Sequence, residues 1–145
     1  IRRCLVGSEM CIRDRLEAAS SLGCNVGAIV KSLLFRAEDK YILCLVSGDK
    51  KVSLNKVKKL LNKKDVSMAS ADEVKKITGF TIGGVSPVGH LNDINIYIDN
   101  NLSRFEFLYA AAGHPNCVFK IDNLNLIKIS KGIIEDITEW NNQNF

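Results

Sequence analysis

The sequence predicts one α/β domain built around a mixed β-sheet. Segments typical of strands and of helices follow one another without strict alternation. The chain has 145 residues, the length of one compact domain, and no repeat, low-complexity tract or linker divides it. We predict a domain over residues 16–138, preceded by an atypical segment 1–15 and followed by a frayed tail 139–145.

The segment 1–15, "IRRCLVGSEMCIRDR", follows neither the helical nor the strand period and has no continuous apolar run. It is therefore not a secretory signal, and we expect it not to be native to the domain. The next segment, "LEAASSLG", predicts a short helix that ends at Gly23, because glycine readily adopts the left-handed conformation of a helix stop.

Two apolar runs rich in β-branched residues, "VGAIVKSLLFRA" and "YILCLVSG", predict strands. The polar "EDK" between them suits a hairpin or a tight connection. The next segment predicts a helix with one apolar face, which consists of Leu54, Val57, Leu60 and Leu61. "DVSMAS" predicts a brief strand.

Ser70 and Glu73 form a predicted capping box, so a helix should begin at "ADEVKKIT" and end at Gly79. Beyond residue 90, "INIYIDN" alternates as a half-buried strand, and "LSRFEFLYAAAG" predicts a helix or a turn-rich segment that ends at Gly113. "CVFKI" then predicts a strand, "LNLIKIS" a helix and "IIEDI" the last strand.

The composition excludes several classes of function. No run of about 18 apolar residues occurs, so the sequence predicts no transmembrane helix. The net charge of +4 is mildly basic and fits an anionic partner without demanding one. The five cysteines are scattered without a CxxC pair, which favours reduced thiols in a cytoplasmic protein over a zinc site or disulfides.

The stretch "TGFTIGGVSPVGH", residues 78–90, is the most unusual part of the chain. Its spacings do not match a P-loop or a dinucleotide fingerprint, so ATP and NAD binding are not expected. Gly83 and Gly84 allow a ligand close to the backbone, and Pro87 stiffens the loop. Such a backbone can polarise an ester carbonyl or orient a water molecule. Equally, the loop can simply join a helix to a strand.

Lys31 interrupts the apolar run "IVKSLLF". A lysine in such a run keeps its charge beside an anion or at an edge where its ammonium reaches solvent. One interpretation is a contact with a phosphate, a carboxylate or a substrate carbonyl. The other is an edge-strand lysine that discourages aggregation, and the residues alone favour it.

The stretch "GDKKVSLNKVKKLLNKK" is rich in lysine. It is either a surface for the phosphate backbone of a nucleic acid or a solvated helix face, which is commoner. The lysines that we expect to contact a nucleic acid are Lys51, Lys56, Lys59 and Lys63. His90 and His114 lie at turns, where histidines are more often incidental than catalytic.

Four segments in this order resemble a known family: "IVKSLLF", "YILCLVSGDKKVSLNKV", "TGFTIGGVSPVGH" and "AAAGHPNCVFKI". This is the YbaK/EbsC family of prolyl-tRNA synthetase-associated editing domains, and the resemblance covers about Leu16 to Ile137. It implies a mixed, partly barrel-like sheet surrounded by helices. It also implies hydrolysis of the ester between a wrong amino acid and the 3′ adenosine of tRNA.

The resemblance also implies a site. Lys31 matches the family's lysine, which is similar in role to a substrate anchor. The Gly-Gly-x-x-Pro-x-Gly loop and a Gly-x-Pro turn match as well, with His114 at the variable position of that turn. The expected substrate-binding residues are therefore Gly83, Gly84, Pro87, Gly89, His90, Gly113 and His114.

The resemblance implies mischarged tRNA as the substrate, with tRNA(Pro) as the expected carrier and prolyl-tRNA synthetase as a candidate partner. We expect no cofactor, no metal and no membrane contact. The alternative is a non-catalytic module of the same fold that binds tRNA or a synthetase. Members of the family usually begin with another helix and strand, which segment 1–15 replaces. The chain also lacks the acidic residue that cysteine-specific relatives carry near Val118, so the amino acid removed is open.

Overall fold

A computed structural model of the protein describes residues 2–4, 25–81, 85–114 and 117–140. Within these ranges the strands are β1 (Arg2–Cys4), β2 (Val30–Ala37), β3 (Lys40–Ser47), β4 (Lys50–Val52), β5 (Val66–Met68), β6 (Asn95–Asp99), β7 (Phe107–His114), β8 (Cys117–Asp122), β9 (Ile133–Glu135) and β10 (Thr138–Trp140). The α-helices are α1 (Leu54–Leu61), α2 (Ala71–Thr78) and α3 (Asn123–Ser130), and the 3-10 helices are Val26–Ala28 and Asn100–Arg104.

The main sheet has five strands in the order β5-β2-β3-β6-β9. Its β2–β3 and β2–β5 pairs are antiparallel, whereas its β3–β6 and β6–β9 pairs are parallel, which confirms the predicted mixed sheet. A second sheet has the order β1-β8-β7, and β10 pairs with β4. Ile29 bridges Tyr109, so the first two sheets meet at the start of β2. The described strands form three sheets and no closed barrel.

Several local predictions are confirmed. Residues 38 and 39 turn the β2–β3 hairpin, and Glu38 takes the positive φ of 57° that this tight turn needs. The capping box at the start of α2 is present, because the Ser70 side chain accepts from the Glu73 amide while the Glu73 side chain accepts from the Ser70 amide. Gly79 ends α2 with φ 83°. The helix predicted from "LNLIKIS" is α3.

Two predictions are wrong. The segment "LSRFEFLYAAAG" was expected to be a helix or turn-rich, but it forms the second 3-10 helix and then β7. Its alanine run favours a helix locally, yet antiparallel pairing with β8 buries Leu108 and Ala110 and outweighs that preference. The tail does not fray at 139 and 140, because β10 pairs Glu139 with Lys51 and Trp140 with Lys50. The helix predicted from "LEAASSLG" lies outside the described residues.

Strand β2 separates two parts of the hydrophobic core. Side chains alternate between the faces of a strand. Val30 and Leu34 belong to one buried cluster, which also contains Val85 from the glycine loop. Phe35 and Ala37 belong to the other cluster, which includes buried residues of β3 and α1. A residue of β2 therefore faces the glycine loop or the α1 side according to its position in the strand.

Within the described residues, none of the helices combines the length and the apolarity needed to cross a bilayer.

Candidate functional site

The structure describes residues 78–81 and 85–90 of the glycine loop, and in the second part Val85, Ser86 and Pro87 are buried. His90 holds the loop closed, since its Nε2 lies 2.6 Å from the Ser86 carbonyl oxygen. A carbonyl only accepts hydrogen bonds, so Nε2 carries the proton. Burial lowers the pKa of His90, although the bond to Ser86 opposes that change. A neutral histidine that fixes the loop's shape is the role this geometry supports.

Phe80 is the point at which the loop meets the end of β7. Its ring packs edge-to-face on His90, with ring centroids 6.0 Å apart and planes at 82°. Gly113 has φ 91°, and a Cβ atom added there would lie 3.1 Å from Phe80 Cε1. Gly89 has φ 80°, and its added Cβ would lie 3.8 Å from Phe80 Cζ. Both positions favour glycine because of their positive φ, and an alanine at position 113 would also crowd the Phe80 ring.

Lys31 lies in a different environment. It alternates with Val30 along β2 and pairs with Val46, so it faces the α1 side of the sheet. Its Nζ donates to the carbonyl oxygen of Lys50, at the start of β4. There it borders a cavity of about 360 Å³ whose lining includes Leu33, Phe35, Lys51, Val52, Leu54 and Met68.

The chemistry of this cavity follows from its lining. Its surface is mainly apolar, and two lysines, Lys31 and Lys51, are among the residues that line it. An ammonium beside apolar surface attracts a carbonyl or phosphate oxygen. The cavity is therefore suited to a ligand that has an apolar part and an anionic or carbonyl oxygen.

The structure thus brings Gly89, His90 and Gly113 together around Phe80 and places Lys31 on the other face of β2. Gly83 and Gly84 lie outside the described residues, as does the side chain of His114. Pro87 is buried within the loop. Phe80 was missed by the sequence analysis, although its place inside "TGFTIGG" was a signal that the aromatic ring belongs to the loop.

Three of the four lysines predicted to contact nucleic acid form ion pairs. Lys51 lies 3.4 Å from Glu139, and Lys63 lies 3.1 Å from Glu38. Lys56 contacts Asp136 at 3.1 Å and also donates to the Thr138 carbonyl at 2.9 Å. Lys59 is exposed and forms no ion pair with the residues that the structure describes. This surface keeps positive charge, but Lys56 also ties α1 to the end of the chain.

No group of three or more histidine, cysteine or acidic side chains among the described residues could hold a metal ion. The expectation that no metal takes part stays a prediction.

Comparisons with known proteins agree on one family. The sequence model described as "Aminoacyl-tRNA editing domain" matches residues 12–129. The proline–tRNA ligase of Caldicellulosiruptor bescii is 34% identical over 120 residues, which are 83% of this chain and 21% of the ligase. The uncharacterized protein YwhH of Bacillus subtilis is 35% identical over 127 residues, 86% of this chain and 80% of YwhH.

A similar solved structure gives the same result. It is described as a candidate trans-editing enzyme for prolyl tRNA synthetase, and it superposes with a TM-score of 0.88 at 36% identity. The match covers 95% of this chain and 85% of the other. The chain spans about a fifth of the length of the proline–tRNA ligases that it resembles, whereas it spans most of YwhH and of this structure.

Proposed function

The chain belongs to the aminoacyl-tRNA editing domain family, and from that premise we propose that it is a trans-editing hydrolase that deacylates mischarged tRNA, with tRNA(Pro) as the carrier. The observation that carries the proposal is the match of the family model over residues 12–129, which include both Lys31 and the glycine loop. The chain is similar to a candidate trans-editing enzyme over most of that enzyme's length, which supports action in trans.

Such an activity answers a physical limit of amino-acid selection. A synthetase pocket that accepts proline cannot strongly exclude a smaller amino acid, because one methylene group is worth only about 1–3 kcal/mol of discrimination. A second site that hydrolyses the wrong ester corrects the error. Water supplies the oxygen to the ester carbon, the bond to the ribose oxygen breaks, and the products are the free amino acid and the tRNA 3′ hydroxyl.

We assign Lys31 the role of substrate anchor. Its ammonium is held at the Lys50 carbonyl beside the mainly apolar cavity. From that position it can attract an oxygen of the aminoacyl ester or of the terminal phosphate, while Leu33 and Phe35 contact an apolar part of the substrate.

The backbone of the glycine loop and of Gly113 has the second role in the proposal. An aminoacyl ester is already activated, so oriented backbone dipoles can promote attack by water without a nucleophilic side chain. The bond from His90 to Ser86 and the packing of Phe80 restrain the described part of the loop. Rigid dipoles need no reorganisation when charge develops on the ester oxygen.

The cellular location and the partners in the proposal follow from the proposed substrate. Because aminoacyl-tRNA is made and used in the cytoplasm, we place the protein there. Lys59 and the partly exposed Lys51 are suited to the phosphates of the tRNA acceptor stem, and prolyl-tRNA synthetase is the candidate protein partner.

The test is deacylation of tRNA(Pro) charged separately with alanine, cysteine, serine and proline. We expect loss of one wrong amino acid while prolyl-tRNA is spared. Replacing the anchor, Lys31→Ala, should lower the rate at least about 100-fold, the size expected for one electrostatic group in a reaction centre. The matched control is Lys40→Ala, an exposed lysine at the opposite end of the β2–β3 hairpin, which should keep the wild-type rate. A folded Lys31→Ala variant with an unchanged rate would refute the anchor role.

A non-catalytic module that binds tRNA is the second candidate, and one observation favours it. Lys31 and the described part of the loop lie on opposite faces of β2. A protein of this kind would retard tRNA(Pro) in a gel and release no amino acid from any of the four charged forms.

A further inference from the structure

The turn that joins β3 to β4, "SGDK" (Ser47–Lys50), is held by a polar network that the proposed function has not used. Asp49 Oδ1 accepts from Ser47 Oγ at 2.8 Å and from Arg104 Nη2 at 2.9 Å. Arg104 Nη2 also donates to Ser47 Oγ at 3.0 Å, and its Nε donates to the Asn101 carbonyl at 2.9 Å. The Asp49 carboxylate therefore joins the turn to the second 3-10 helix.

The same network reaches the residues that precede β2. Ser47 Oγ also lies 2.5 Å from the carbonyl oxygen of Gly27, so its single proton is shared between that carbonyl and Asp49. Gly27 is two residues before the bridge residue Ile29. A Cβ atom added to Gly27 would lie 2.8 Å from Asp49 Oδ2 and 2.8 Å from Phe105 Cζ. Only glycine leaves room for the carboxylate here, so the chain entering β2 and the SGDK turn are packed against each other.

The network joins the start of β2 to the SGDK turn, and each of these segments contains one partner of the Lys31 hydrogen bond. Lys31 is the second residue of β2, and the carbonyl that it contacts belongs to Lys50, the residue after Asp49. If the turn moved relative to the start of β2, the Lys50 carbonyl would move away from the Lys31 ammonium. The network thus fixes both the donor and the acceptor.

We propose that Asp49 and Arg104 are positioning residues that hold the Lys31 ammonium at the cavity through the SGDK turn. The inference rests on the proposed function for its effect on hydrolysis, but not for its effect on Lys31 itself. Burial raises the pKa of Asp49, and the hydrogen bonds from Arg104 and Ser47 outweigh burial, so its pKa is lowered overall. The carboxylate is therefore charged at neutral pH, and bonds to a charged group are roughly twice as strong as neutral ones.

The test compares Asp49→Ala with Glu73→Ala. Glu73 is a matched control, because its carboxylate also accepts a hydrogen bond from a side chain, Tyr41, and forms an ion pair with an arginine, Arg36. These contacts lie away from the SGDK turn. The first readout is the rate at which a small acylating reagent modifies each lysine, measured by mass spectrometry. The second is kcat/KM for deacylation. Thermal unfolding shows which variants fold, and Arg104→Lys replaces Asp49→Ala if that variant does not.

We expect Asp49→Ala to raise the labelling rate of Lys31 by roughly threefold or more, as the turn opens more often, and to leave Lys59 unchanged. We expect kcat/KM to fall about tenfold, the effect of one charge-assisted hydrogen bond. Glu73→Ala should change neither value. Unchanged labelling of Lys31 in a folded Asp49→Ala or Arg104→Lys variant would overturn the inference. Raised labelling in a protein whose wild type deacylates no tRNA would support the inference and reject the proposed function.

Discussion

Gly113→Ala tests whether the contact between β7 and Phe80 constrains the sequence. An alanine at φ 91° costs about 1–3 kcal/mol in backbone strain. Its Cβ would also lie 3.1 Å from Phe80 Cε1, so the ring must shift by a few tenths of an ångström. Overpacking of this kind adds about 1 kcal/mol. Together these effects predict a loss of about 2–4 kcal/mol in the free energy of unfolding.

The matched control is Gly89→Ala, because Gly89 has a similar φ of 80° but an added Cβ at an ordinary 3.8 Å from Phe80 Cζ. It reports the backbone strain alone, about 1–3 kcal/mol. Urea denaturation of both variants measures the difference, which we expect to be about 1 kcal/mol. The same difference should separate their melting temperatures by roughly 3 °C. If Gly113→Ala is as stable as Gly89→Ala, the argument from the Phe80 contact is wrong.

Three further predictions use other parts of the structure. Lys59→Ala should weaken tRNA binding and make the slope of log affinity against log salt shallower by roughly one, which gel shifts across a salt series measure. Lys56→Ala should chiefly lower the free energy of unfolding, by about 0.2–1 kcal/mol, because Lys56 joins α1 to Asp136; urea denaturation measures this loss. Burial, aided by the charge of Asp99, raises the pKa of the Cys44 thiol to about 12, so at pH 8 an alkylating reagent should modify it only after unfolding; rapid native labelling would contradict its burial. Folding lowers the pKa of Asp49 from 3.8, so the stability that its carboxylate contributes is present above pH 3.8 and is lost as the pH falls through the lower folded pKa. The difference in stability between wild type and Asp49→Asn should therefore shrink from pH 5 towards about pH 3. A constant difference would be inconsistent with the charged bond to Arg104.

Local signals in the sequence predicted the elements they directly encode. The Ser70–Glu73 capping box and Gly79 set the ends of α2 through bonds within a few residues, so no distant part of the chain was needed. The β2–β3 hairpin followed from two apolar runs around a polar turn. In contrast, β7 was missed because its alanine run has no strand preference until β8 pairs with it. Likewise, pairing with β4 orders Glu139, which nothing in the tail indicates.

For the candidate site as well, the sequence determined some features and only the tertiary structure determined others. The sequence by itself determined the family, the mixed α/β class and the motifs that contain Lys31 and the glycine loop, because residue types and spacings carry that information. Only the tertiary structure decided that Lys31 faces the α1 side of β2 while Gly113 meets Phe80. Only there does Asp49 meet Arg104, 55 residues away in the chain. The reason is physical: the face of a strand and the partners of a turn depend on register and packing between distant segments, which local sequence preferences do not specify.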